Sequence, residues 1–158
     1  MKKVDPYNLS TEKNPVGHFM VAVGGMIELQ DTNKILVIKR AEDQDWRGGE
    51  WETQYGRIDQ FEEPLQGLHR EVREETGLVN IEIRDVLTVW HLFRGSAKAE
   101  NELIGITYWV RALEDTVQLS FEHTEYRWVT PEEALELITE EGIRRDIRKF
   151  QEVRAASV

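Results

Sequence analysis

Three glutamates on one turn of a predicted helix constrain this chain more than any other feature in it. The second half of the stretch from Gly56 to Leu78 reads as a helix. Pro64 suits the first helical position, where its missing N–H costs nothing. Gly77 is placed to close the helix in a left-handed conformation, with Leu78 covering the end. At about 100° per residue, Glu71, Glu74 and Glu75 share one face. Leu65, Leu68 and Val72 share the adjacent face and are expected to enter a core. Carboxylates at this spacing repel, by roughly a few tenths of a kcal/mol per pair. A hard divalent cation reverses the sign, because Mg²⁺ takes carboxylate and water oxygens in an octahedron. Arg70 can steady one carboxylate by a bidentate contact. Taken alone, the glutamates are equally compatible with a solvated acidic face.

The longer pattern favours the cation. Gly56, five residues, Glu62, seven residues, Arg70-Glu71-Val72, one residue, Glu74-Glu75, one residue and Gly77-Leu78 together resemble the Nudix box. The resemblance implies an α+β fold, the Nudix α/β/α sandwich with a mixed β-sheet between helices. It also implies a pyrophosphohydrolase, in which water attacks phosphorus in a nucleoside diphosphate linked to another moiety while Mg²⁺ or Mn²⁺ bridges the phosphates. Carried over by position, Glu75 and Glu74 are the primary metal ligands. Glu71 is a ligand directly or through water, and a base in some members. The backbone carbonyl of Tyr55 is a further ligand, and Arg70 and Glu62 orient the carboxylates. An acid from a late loop often completes such a site. Glu122-His123-Thr124-Glu125-Tyr126-Arg127-Trp128 has the Glu-His-x-x-Tyr-x-Trp pattern of several Nudix branches. It puts Glu122, ahead of Glu125, at the catalytic and metal-ligating position, and His123 reads as structural.

The box departs from the commonest pattern. Gln54-Tyr55-Gly56 stands where Pro-Gly-Gly is frequent, and Asp59-Gln60-Phe61-Glu62 where Glu-x-Gly-Glu is common. Gly67 takes a place where alanine is frequent. These changes are expected to reshape the phosphate loop without abolishing it. Trp51 to Gly56, with Glu122-His123, looks like the branch acting on dATP and dihydroneopterin triphosphate, and like the diadenosine tetraphosphate hydrolases. The motifs that mark NADH or coenzyme A pyrophosphatases are not matched.

A chain of 158 residues suits one domain, 1–158, with residues 1–15 expected as a loose N-terminal arm. Thirty acids against twenty bases give a net charge of −10. That argues against partnership with nucleic acid or an anionic membrane. The expected partner is a small-molecule nucleotide or diphosphate substrate, and a homodimer is left open. The absence of cysteine excludes disulfides, thiolate metal sites and a cysteine nucleophile. It also argues against the isomerase of isopentenyl diphosphate, which shares the Nudix fold and normally needs a cysteine. With a polar start at Met1 to Pro6, a cytoplasmic protein is expected.

Alternation predicts a strand over His18–Ile27, and the turn Asp31-Thr32-Asn33 leads into a second over Lys34–Arg40, together a hairpin. Arg40 is a candidate for a phosphate or a plain surface arginine. In the loop Ala41–Glu50, Trp46 can stack on a base or cap an apolar edge. Trp51 is expected to pack in the core. Ile81–Phe93 and Glu102–Ala112 read as long strands, and Glu125–Val129 as a short one. Thr130-Pro131 is a helix start, and Ile143–Val153 a final helix. The alternative to a hydrolase is a catalytically silent Nudix module that binds a nucleotide or protein as a regulator. Such modules usually lose a box glutamate, and none is lost here.

Overall fold

The computed structural model describes residues 17–157, so the expected N-terminal arm lies outside the described residues. Seven strands form one mixed sheet. β1 (Met20–Leu29) is its spine. On one side β1 runs parallel to β6 (Glu102–Ala112), in register from Met20↔Leu103 to Leu29↔Ala112. On the other side its first half pairs antiparallel with β4 (Gln54–Arg57), and its end meets β2 (Ile35–Arg40). β2 carries β3 (Trp51–Glu52) and β7 (His123–Val129), while β5 (Ile81–Phe93) closes the far edge against β6.

The period-two pattern of β1 and β2 does not separate core from solvent. It sorts side chains between two cores, because both faces of the central sheet are covered. Val23, Ile27, Leu36 and Ile38 pack with Leu68 and Val72 of α1 (Pro64–Thr76) on one face. Met26, Ile35 and Val37 pack on the other with Ala134 of α2 (Pro131–Leu137) and with Ile143, Ile147 and Phe150 of α3 (Glu141–Ala156). This is the helix–sheet–helix sandwich that the resemblance implied.

Local chemistry explains the helix ends. Pro64 opens α1, and Gly77 closes it at φ 73°, the left-handed cap. Thr130 and Glu133 form a reciprocal capping box on α2. Glu140 accepts from the Ile143 N–H at 2.8 Å and starts α3 two residues earlier than the expected Ile143. β7 likewise starts at His123 instead of Glu125. One core expectation fails. Leu65 is 47% exposed, because the first turn of α1 overhangs the sheet and burial begins at Gly67. Trp51 is half-buried against the α2/α3 core, with the Arg127 guanidinium 4.7 Å from its ring.

Candidate active site

The box helix lies across β4. A Cβ at Gly56 would stand 2.1 Å from the Glu71 carboxyl carbon, so glycine there lets that carboxylate lie against the strand. The C-terminal end of α1 recruits the late loop. Gln118 N–H donates to the Thr76 carbonyl at 2.8 Å and Ser120 N–H to the Glu75 carbonyl at 3.3 Å, satisfying carbonyls that helix geometry leaves unpaired. That contact sets Glu122 into the same cleft as Glu71 and Glu75. The cleft has a volume of about 530 Å³, and Tyr55, Gly56, Arg40 and Trp46 also line it.

Arg70 organises the acidic wall. Its Nε and Nη2 donate to the two oxygens of Glu62 at 2.7 and 2.8 Å, a bidentate pair. Nη1 donates to Glu71 at 2.8 Å and to Glu74 at 3.3 Å, and Nη2 also to the Arg57 carbonyl at 3.0 Å. The hydrogen bond from Arg70 holds Glu62 down to about 2, and Glu62 in turn raises Arg70. Burial pushes Glu71 up, against the pull of Arg70.

Glu75 is different. It is 6% exposed, and its Oε2 finds no hydrogen-bond partner among the described residues. Burial first, then the Glu52 and Glu71 carboxylates, push it well above the ordinary carboxylate range, with Glu122 adding to the effect. An orphaned, buried carboxylate oxygen facing further carboxylates fits a hard divalent cation. Among the described residues, no three such side chains already form a closed ligand cage, since Glu71 and Glu74 lean on Arg70.

The sequence matches the NUDIX domain over residues 18–150. The chain belongs to the NUDIX family. It is 30% identical over 120 residues to an octanoyltransferase of Myxococcus xanthus, covering 73% of this chain but 32% of that protein. It is 34% identical over 92 residues to the asymmetrical bis(5'-nucleosyl)-tetraphosphatase of Mus musculus, covering 55% of this chain and 60% of that one. The chain therefore spans less than two thirds of the length of either. The structure resembles that of a MutT protein from Methanosarcina mazei, with a TM-score of 0.72, 25% identity and coverage of 89% and 99%. The domain match over residues 18–150 gives the family that the box implied.

Within this Nudix cleft the expected residues divide. Glu71, Glu75, Glu122 and Tyr55 line it; Glu74 is more exposed and bonded to Arg70. Glu125 is not in the lining and pairs with Lys39 at 3.3 Å and Arg127 at 3.7 Å. Arg40 lines the cleft, but its nitrogens are engaged by the Trp46 carbonyl at 2.7 Å, Glu52 at 3.2 Å and Gln44 at 3.4 Å. Trp46 lines it too, half-buried. His123 is buried, with Nε2 2.9 Å from Glu52. The Tyr55 hydroxyl donates to Asp146 of α3 at 3.1 Å, and enclosure of that hydroxyl together with the Asp146 charge raises the phenol. Sequence reasoning missed Glu52, Arg57 and Arg94. Only Glu52 carried a signal, as an acid beside Trp51 in the strand that leads into the box.

Proposed function

We propose that this chain hydrolyses a diphosphate linkage in a nucleoside di- or triphosphate derivative, with a divalent cation and with water attacking phosphorus. The observation that carries the reading is Glu75, whose buried oxygen has no partner among the described residues, in a cleft that also gathers Glu52, Glu71 and Glu122. Ionised together, these groups repel one another in a poorly solvated place; a bound cation relieves that repulsion and lets Glu75 give up the proton that burial otherwise favours. Mg²⁺ or Mn²⁺, when bound, supplies charge neutralisation for the diphosphate and acidifies attacking water.

Glu75, Glu74, Glu71 and Glu122, with the carbonyl of Tyr55, are the groups that hold the cation. Arg70 keeps Glu71 and Glu74 in place and ties the helix to the loop through Glu62. Glu71 lines the cleft half-buried beside Glu75 and Glu122, a position that suits a group taking the proton from water. Arg40 holds the loop that carries Trp46, and Trp46 offers an aromatic face to the substrate's base. The test is chromatographic detection of the nucleoside monophosphate, with its pyrophosphate or phosphorylated co-product, from a panel of nucleoside di- and triphosphate derivatives with Mg²⁺ and after chelation. Hydrolysis that stops on chelation is expected. Hydrolysis that survives it overturns the cation, and none on any substrate overturns the hydrolase.

A further inference from the structure

Ten of the thirteen arginines sit within salt-bridge reach of a carboxylate. Among the described residues, Arg57, Arg73 and Arg94 have no such partner. Arg73 lines a separate groove on the outer side of α1 with Gln66 and His69. Arg57 and Arg94 both line the cleft that holds Glu71, Glu75 and Glu122. In a chain of net charge −10, unpaired arginines are not explained by a shortage of acids.

Their surroundings leave them unsatisfied. Among the described residues, the side chain of Arg57 donates only to the Met20 sulfur, at 3.3 Å, a weak acceptor. The Arg94 guanidinium has no hydrogen bond among the described residues and lies 5.8 Å from the centre of the Trp46 ring. Burial, then the positive charges of Arg57 and Arg40, lower the proton affinity of Arg94. Like charges are therefore directed at one space. Both residues stand on fixed backbone. The Arg57 carbonyl accepts from Arg70, and the Arg94 N–H donates to the Asn101 carbonyl at 2.9 Å across a turn tied by Asn101 to Ser96.

We propose that Arg57 and Arg94 form an anion site for a phosphate outside the linkage being cleaved, so that the cleft favours nucleotides with three or more consecutive phosphates over a nucleoside diphosphate joined to a sugar. The proposal rests on the hydrolase reading and names its substrate class. Guanidinium forks take phosphate oxygens two at a time. A diphosphate held at the acidic wall leaves both forks without an anion, whereas a longer phosphate chain supplies one.

Steady-state kinetics on dATP, diadenosine tetraphosphate and ADP-ribose test this with wild type, Arg57→Ala, Arg94→Ala and Arg94→Lys. Each alanine variant is expected to lower kcat/KM for the two polyphosphates relative to ADP-ribose by roughly tenfold, mainly through KM, with partial recovery in Arg94→Lys. An unchanged ratio overturns the site. Calorimetry in Mg²⁺ buffer with inorganic tripolyphosphate and pyrophosphate needs no catalysis. Wild type is expected to prefer tripolyphosphate and both alanine variants to lose that preference. This result supports the site even if no nucleotide is hydrolysed. Hydrolysis without any tripolyphosphate preference overturns the site and leaves the hydrolase standing.

Discussion

Phe61 adopts φ 68° and is 97% exposed, in the loop between β4 and α1. A bulky residue in the left-handed region places its Cβ against its own backbone at a cost of about 1 kcal/mol. Phe61→Gly should remove that strain, offset in part by the greater freedom of unfolded glycine, for a net gain of up to about 1 kcal/mol. A urea midpoint that falls in the variant would contradict it. Glu62 gives a pH signature. Its folded value of about 2 lies below the ordinary 4.5, so the fold favours the ionised form. Its contribution is present above pH 4.5 and disappears as pH falls through about 2. The Tm difference between wild type and Glu62→Gln should therefore be full at pH 6 and shrink towards pH 2. A difference independent of pH would contradict the Arg70–Glu62 link. Residues of the box were legible because helical spacing alone places Glu71, Glu74 and Glu75 together. Phe61 was visible as a departure where glycine is common. Arg94 was not legible, since only the β5–β6 turn brings it to the cleft.

At the scale of elements, the late loop is where local reading ran out. β5 and β6 have the expected bounds, because long alternating runs mark them. That Glu122 approaches Glu75 depends on two backbone hydrogen bonds to the end of α1, and no local pattern encodes that docking. The pairing of β7 with β2 then turns Glu125 towards Lys39. Glu122→Gln should lower kcat by about one decade or more with little change in Tm, while Glu125→Gln should change kcat by less than about twofold. Equal losses in the two variants would place the completing acid elsewhere. The docking of α3 is likewise tertiary: buried Asp146 accepts from Tyr55, from Thr88 at 2.9 Å and from Thr107 at 2.8 Å, joining the final helix to three strands.

Across the whole molecule, the sandwich and the cleft belong together. The order of elements indicated a mixed sheet between helices. The two cores on its faces could be assigned only once β1 was paired on both sides. At one end of β1 the cleft carries acids on α1 and the late loop, and arginines at the ends of β4 and β5. No helix among the described residues is long and apolar enough to cross a membrane. The central claim is that the carboxylate wall around Glu75 performs the hydrolysis. It is tested by comparing wild type with Glu75→Gln on dATP, diadenosine tetraphosphate and ADP-ribose in ¹⁸O water with Mg²⁺. Wild type should place label in one phosphate product, and Glu75→Gln should lose about 10³ in kcat, about 4 kcal/mol of transition-state stabilisation, while still folding. Equal rates for the two proteins on every substrate would contradict the claim.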